Sequence, residues 1–262
     1  MSATTTDDYL QFCGSLRDIC GIDLTQYKRA QMERRLRAFF NRRGFTNLTD
    51  CIAELRSDPA QLDALLDRIT INVSQLWRNP EQWDLLEKTI LPELDSVGRQ
   101  LRMWSAGCSY GAEAYTLAAI CHITGRGGHT KIKGTDIDKR MVARARNGVF
   151  TDSDARTAPP AKLKSAFDRV EAGWQAKRSL RAMTEFEIGD LLRTRPTSGH
   201  YDLILCRNTV IYFDEPIRDE LHSRLAAGLR SGGYLVIGST ERVADPTGLH
   251  LKMTHPFVYR KA

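Results

Sequence analysis

Leu101-Arg-Met-Trp-Ser-Ala-Gly-Cys-Ser-Tyr-Gly-Ala-Glu113 is the stretch from which the rest of the chain is read. An apolar run ends in a turn of small residues with Gly107 and Gly111, then passes into 112–124, rich in Ala, Leu and Ile at helical spacing. Strand, glycine turn and helix in that order form the first unit of a nucleotide-binding α/β sheet. Gly107 permits a positive φ, and Gly111 lets the first helical turn approach the strand and a ligand. Further on, Lys131-Ile-Lys-Gly-Thr-Asp136 predicts a second strand ending in an acid. Such folds place the carboxylate that holds a ribose near that position. The turn is not the G-x-G-x-x-G of dinucleotide enzymes, but with Asp136 it points to an adenosine-containing cofactor.

Beyond this unit the pattern keeps alternating. Asp138 predicts the cap of a helix over 139–147, ended by Gly148. Strands are predicted over 185–190, 201–206 and 233–238, with a helix over 216–229 and a closing hairpin of 250–254 and 257–260. Strands alternating with helices imply a parallel sheet with helices on both faces. Two further strands at the end fit the methyltransferase variant of this architecture better than a dehydrogenase. Between 150 and 184 the alternation fails: Ala158-Pro-Pro-Ala161 is a break, 162–168 a short helix, and 174–183 reads as short polar strands around Gly173. This is a small inserted β-subdomain, about 151–184.

Residues 1–7 read as a tail, and 9–66 as helical. Gly21-Ile-Asp-Leu24 interrupts, a helix over 27–43 stops at Gly44, and 48–55 and 59–67 add two shorter ones. Met32, Leu36, Phe39 and Phe40 share one face of the longer helix, with Arg34 and Arg37 pointing away. The division is therefore an N-terminal helical domain over 1–70, a linker over 71–83 and an α/β domain over 84–262. Asn79, Pro80 and Gln82 predict a capping box for a helix reaching about Ile90. The segment from Asn72 to Arg78 lacks helical spacing and reads as an ordered linker lying against the following domain.

A chain of 262 residues can bury one sizeable core and a smaller appended domain. No apolar run approaches the ~18 residues of a membrane span, and the start lacks a signal-peptide pattern. A soluble, cytoplasmic protein is expected. The six cysteines are scattered without a C-x-x-C pair, so neither disulfides nor zinc is expected, and Cys108 in the glycine turn is the most reachable thiol. The histidines have no ligand spacing. The net charge of +6 is concentrated where Lys28, Arg29, Arg34, Arg35, Arg37, Arg42 and Arg43 face one acid, Glu33. Such a field suits nucleic acid, phospholipid or an acidic protein surface; a solvated face of snorkelling arginines is the alternative.

Four blocks carry a resemblance. Thr70-Ile-Asn-Val-Ser-Gln-Leu-Trp-Arg-Asn79, Trp104-Ser-Ala-Gly-Cys-Ser-Tyr-Gly-Ala-Glu-Ala-Tyr115, Gly134-Thr-Asp-Ile-Asp138 and Cys206-Arg-Asn-Thr-Val-Ile-Tyr-Phe-Asp214 resemble signature blocks of the chemotaxis receptor methyltransferase family, CheR. Their order and spacing match, and the likeness covers nearly the whole chain. It implies an S-adenosylmethionine-dependent, Rossmann-like methyltransferase fold. The implied reaction is methyl transfer to glutamate side chains on cytoplasmic chemoreceptor helices, forming methyl esters and leaving S-adenosylhomocysteine.

The resemblance also implies roles. Asn72, Ser74 and Arg78 match linker positions that reach the cofactor. Gly107 and Glu113 match the first loop and its acid, and Asp136 the ribose-binding acid. Asp190 and Leu191 stand where the family places a polar residue and a Leu beside the adenine. Arg207 and Asn208 fall near the methionine portion, and Tyr212 matches the tyrosine beside the methyl donor. Arg34, Arg35 and Arg37 become candidates for receptor docking. Two departures stand out: the linker's usual pair of aromatics is Leu76-Trp77, and the usual Gly-Glu-Glu-Pro is Gly111-Ala-Glu-Ala114. Some members dock a receptor's C-terminal tail as an added strand on the inserted subdomain and look to carry a longer, two-glycine loop there. Val170-Glu-Ala-Gly-Trp-Gln175 is short with Gly173 alone, so independence of that tether is expected.

The chemistry is coherent without the resemblance. Methyl transfer from a sulfonium is an in-line displacement, and a glutamate with pKa ~4.3 is already ionised, so no general base is required. Arg78 is the candidate to orient the carboxylate bidentately, and Tyr212 to line the methyl path. A non-catalytic binding module of the same fold is one rival. A nucleic-acid methyltransferase is another, but Arg207-Asn208 stands in place of a base-reading Asn/Asp-Pro-Pro-aromatic motif, and no aromatics interleave the exposed arginines.

Overall fold

The computed structural model describes residues 7–70, 74–96 and 98–262. They divide into two units: the helical residues up to 70 joined by Tyr212–Ile217, and the α/β residues.

In the helical unit, α1 (Asp8–Cys20) begins at Asp7, whose side chain accepts from the Tyr9 N–H, and ends at Gly21 in the left-handed conformation. Helix α2 (Arg29–Asn41) buries Met32, Leu36, Phe39 and Phe40, the face predicted from their spacing. α3 (Ile52–Ser57) and α4 (Pro59–Ile69) complete the bundle, the latter capped by Asp58 with Pro59 in its first turn. The core is aromatic: Phe12 and Phe40 meet edge to face at 5.6 Å, and Phe39 and Phe40 at 5.0 Å. Truncating Phe40 to Ala in such a core costs about 3–5 kcal/mol. The segment Tyr212–Ile217 joins this unit through the start of α2. The Lys28 N–H donates to the Tyr212 carbonyl at 2.9 Å, and Tyr27 pairs with Phe213 as an antiparallel bridge.

The α/β unit opens with a continuous helix: α5 (Pro80–Leu85), a π turn (Leu86–Ile90) and α6 (Leu91–Asp95). It runs past Pro92, where the sequence predicted a stop. The wide turn before the proline relieves the ring's clash with the preceding carbonyl, and buried Leu86, Ile90, Leu91 and Leu94 hold the continuation.

The main sheet has seven strands in the order β6-β2-β1-β7-β8-β10-β9. These are β1 (Leu101–Ala106), β2 (Thr130–Asp136), β6 (Thr184–Ile188), β7 (Tyr201–Cys206), β8 (Leu229–Ile237), β9 (Leu251–His255) and β10 (Val258–Lys261). The first five run parallel; β10 lies antiparallel between β8 and β9. β8 starts earlier than predicted because Leu229 pairs with Tyr201 ahead of an irregularity in the β7–β8 register. Helices α7 (Ala112–Ile123) and α8 (Lys139–Asn147) pack on the β1–β2–β6 half, α7 buried almost all round.

The inserted region is a three-stranded sheet, β3-β5-β4 (Val149–Phe150, Gly173–Ala176, Phe167–Val170), with α9 (Asp152–Ala155), α10 (Pro160–Ala166) and α11 (Arg178–Met183). Two predictions fail here. Phe167 and Asp168 open β4 instead of ending a helix, because Phe167 packs against Phe150 of β3 at 5.8 Å. Residues 178–183 are helical instead of extended, burying Leu180 and Met183 at i, i+3.

Strand register aligns the ends of the parallel strands. Ala106 lies beside Thr135, Thr135 beside Glu187, and Cys206 beside Ile237. Gly107, Asp136, Gly189, Arg207 and Gly238 therefore emerge in a row at the carboxyl edge of the sheet. The chain leaves β1 toward β2 and β6, then returns to the other side as β7. Open α/β sheets bind ligands at such a reversal.

Candidate functional site

The glycine turn is pinned to the neighbouring strand: the N–H groups of Gly107 and Cys108 both donate to the Thr135 carbonyl, at 2.9 and 3.0 Å. Gly107 has φ +81°, and a Cβ there would lie 2.5 Å from Thr209 Oγ1. At Gly111, φ +86°, a Cβ would press within 2.9 Å of the Ala145 methyl. Any larger residue would fill the hollow between the turn, α8 and the loop after β7. Ser109, at φ +48°, turns its N–H onto Asp136 Oδ2 at 2.7 Å, while Asp136 Oδ1 accepts from the Asp138 N–H at 2.9 Å. Burial pushes the Asp136 carboxyl up, and these N–H groups pull it back. It remains partly exposed at the strand end, so a ligand can reach it.

Beside the turn lies a buried polar hub. Arg207 donates through Nε to Gln82 Oε1 at 2.8 Å and through Nη1 to Glu113 Oε2 at 3.3 Å. Its Nη2 reaches the Arg78 carbonyl at 3.0 Å and Asn79 Oδ1 at 3.1 Å. Glu113 also accepts from Ser105 Oγ at 2.7 Å. Its burial drives the carboxyl up, opposed first by Arg207 and, more weakly, by Arg78. Asn79 and Gln82 thus do not form the predicted capping box. Asn79 is left-handed with no side-chain cap bond, and both side chains serve Arg207 instead.

The linker is held on the α/β unit. Leu76 N–H donates to the Asp154 carbonyl at 2.9 Å, Trp77 N–H to Thr116 Oγ1 at 3.0 Å, and Thr157 Oγ1 to the Leu76 carbonyl at 2.6 Å. The Tyr110 hydroxyl bonds the Ser74 carbonyl and Asp154. Leu76 and Trp77 are both core residues, so the departure from two aromatics packs without a gap in burial. Trp77 and Asn79 flank Arg78 with φ of +55° and +60°. Left-handed backbone at a Trp is unusual and tends to gather at functional sites.

Asp190 holds its own turn, accepting from the Leu192 N–H at 2.8 Å, next to buried Leu191. Asn208 is left-handed at φ +58°. Tyr212 groups with the helical unit, and the Arg35 guanidinium lies 5.3 Å from its ring centre. Asn72 lies outside the described residues. Of the predicted residues, the structure therefore gathers Arg78, Gly107, Glu113, Asp136, Asp190, Leu191, Arg207 and Asn208 along one sheet edge.

Three readings of the charged and reactive groups change. Arg37 is not an unengaged surface charge: it bonds Asp8 at 2.8 Å and Glu33 at 2.7 Å. Arg29 likewise pairs with Asp7 and Glu33, so acids at the start of α1 compensate the basic helix. Cys108 is buried, not reachable, and burial pushes its thiol well above the usual range. Sequence reasoning also missed Gln82, Ser105 and Glu241, all buried. The small-residue turn Gly238-Ser-Thr-Glu241 after a strand was the available signal for the last.

Among the described residues no cluster of His, Cys, Asp and Glu is placed to hold a metal, and no helix is long and apolar enough to cross a membrane. A Cβ-free turn, a partly buried carboxylate at the second strand's end and a satisfied polar hub fit a nucleoside-bearing cofactor.

Two family profiles match the chain: "CheR methyltransferase, all-alpha domain" over residues 7–70 and "CheR methyltransferase, SAM binding domain" over residues 72–256. A "Chemotaxis protein methyltransferase" of Listeria innocua is 35% identical over 97% of this chain and 97% of its own length. One from Borreliella burgdorferi is 32% identical, covering 92% and 89%, and "Chemotaxis protein methyltransferase 1" of Pseudomonas aeruginosa is 31% identical, covering 92% of each. The cofactor of this chain is S-adenosylmethionine, and the chain belongs to the CheR methyltransferase family.

Proposed function

We propose that this protein methylates glutamate side chains on the cytoplasmic helices of chemoreceptors, forming methyl esters. The observation that carries the reading is the union, in one chain, of the all-α and S-adenosylmethionine-binding domains over nearly the full length of chemotaxis methyltransferases. Bound S-adenosylmethionine supplies an electrophilic methyl on a sulfonium. The chain's residues have to bind, orient and exclude water. Asp136 takes the ribose hydroxyls, the glycine turn gives close backbone approach, and Asp190 with Leu191 borders the adenine. Asn72 and Ser74 of the linker contribute to the same site.

A glutamate carboxylate needs no base, and the site's own acids agree with that demand. Glu113 is held by Arg207 and Ser105, and Asp136 by backbone N–H groups. Neither is arranged to remove a proton from a nucleophile. Arg78, held in place through its carbonyl by Arg207 and by Trp83 Nε1 at 2.8 Å, orients the incoming carboxylate. Tyr212 lines the path of the methyl. Arg34, exposed on α2, gives the docking charge toward acidic receptor helices, with Arg35 and Arg37 adding to the field.

The reading extends to tether independence. β4 and β5 close through a two-residue turn, Val170 pairing with Gly173, and a Cβ at Gly173 would lie 2.2 Å from the Phe150 carbonyl. That two-residue turn is shorter than a loop of the tail-binding kind, which supports the reading. Neither nucleic acid nor membrane insertion is part of the proposal. The test is transfer of labelled methyl to receptor cytoplasmic fragments, with and without their C-terminal tails. Base-labile label of equal yield on both is expected. Base-stable label would overturn the ester, and label requiring the tail would overturn tether independence.

A further inference from the structure

Glu241 is a buried acid that the chemistry above does not use. It is 3% exposed, and no arginine or lysine pairs with it among the described residues. Its charge is met by backbone instead. Oε2 accepts from Gly238 N–H at 2.6 Å and Asn208 N–H at 3.1 Å, and Oε1 from Val210 N–H at 3.1 Å. One carboxylate thus ties the loop after β8 to the loop after β7, where the two parallel strands end side by side. Burial alone would push the carboxyl up, and these N–H groups oppose it.

The surroundings are shaped for this clasp. A Cβ on Gly238 would stand 2.8 Å from both the Asn208 nitrogen and Glu241 Oε2. Asn208 is left-handed, and its N–H lies on the Glu241 carboxylate. Thr209, the next residue, is the wall against which Gly107 must lack a side chain. The loop so fixed continues Arg207, the centre of the polar hub, and faces the glycine turn.

We infer that Glu241 is a positioning residue: its carboxylate sets the Asn208–Val210 loop in the shape that receives the methionine end of S-adenosylmethionine. It touches no reacting atom and acts through Asn208. The inference rests on the placement of Asn208 beside the cofactor. Three directed N–H acceptances require two acceptor oxygens, so a carboxamide cannot substitute: its NH2 would face an N–H group.

The experiment is calorimetric binding of S-adenosylhomocysteine to the full chain, the parent against Glu241→Gln, with urea unfolding to follow the fold. About tenfold weaker binding is expected for Glu241→Gln under conditions where it is fully folded. Gly238→Ala, which keeps the carboxylate but crowds it, should weaken binding in the same direction. The deciding arm repeats Glu241→Gln in an Asn208→Ala background, where its effect should largely vanish. A tenfold loss of the same size in both backgrounds would assign Glu241 a general structural role and overturn the inference, as would parent-like affinity in Glu241→Gln. Failure of the parent itself to bind S-adenosylhomocysteine would instead sink the cofactor site on which the inference rests.

Discussion

Arg207 and Glu113 form a buried ion pair, Nη1 to Oε2 at 3.3 Å, between the loop after β7 and the first turn of α7. Through its other nitrogens Arg207 also holds the linker at Arg78 and Asn79. One guanidinium therefore joins the glycine-turn helix, the fourth parallel strand and the segment that carries Arg78. Its planar fork suits several acceptors at fixed angles, which an ammonium could not serve together.

Removing one partner of such a pair leaves a buried charge without compensation. Arg207→Met should lower stability by about 3–5 kcal/mol, read by urea denaturation. Combined with Glu113→Gln, the losses should fall short of additive by roughly 1 kcal/mol or more. Additive losses would mean that the two side chains do not depend on each other.

Arg78→Ala should remove most receptor methylation while leaving the urea midpoint near that of the parent. Arg78→Lys should restore only part of it, because a point charge cannot make the forked contact with a carboxylate. A lysine variant turning over like the parent would exclude bidentate orientation.

The two outward arginines of α2 should separate. Arg34→Glu should raise the KM for receptor several-fold, with the thermal midpoint unchanged and activity less depressed by added salt than the parent's. Arg37→Glu sets a third carboxylate beside Asp8 and Glu33. It should destabilise the helical unit by roughly 1 kcal/mol, as for like charges on a helix surface. Equal behaviour of the two variants in both assays would refute the distinction.

His222 of α12 (Glu215–Gly228) is fully buried, and both its ring nitrogens lack a partner among the described residues. Burial, and then the nearby Arg218 charge, holds its pKa down at about 4. The unfolded chain takes up a proton on this ring below about 6.5, whereas the folded chain does not until about 4. Stability is therefore intact above pH 6.5 and declines as pH falls toward 4, by up to about 3 kcal/mol. His222→Leu should flatten that part of the pH profile in denaturant titrations; an unchanged slope would show that other groups cause it.

What the sequence determined by itself was local. The glycine turn, the Asp138 cap, the Gly148 stop, the buried face of α2 and the strand at 201–206 all depend on neighbours within a few residues, where backbone freedom, caps and periodicity act. Those signals sufficed for the fold class, because alternating strands and helices have few ways to pack. Of the residues that the family blocks named, Gly107, Asp136 and Arg207 emerge at one sheet edge. What only the tertiary structure decided came from partners distant in the chain. Asn79 and Gln82 look like a capping box until Arg207, 125 residues after Gln82, claims both side chains. Arg37 looks solvent-facing until Asp8 of another helix meets it. Phe167 looks helical until Phe150 draws it into a strand. Glu241 had only the small-residue turn from Gly238 to mark it, since two of the N–H groups that it serves, at Asn208 and Val210, belong to another strand's loop. In each case a buried polar or aromatic group takes the partner that removes it from water best, and that preference outweighs local propensity.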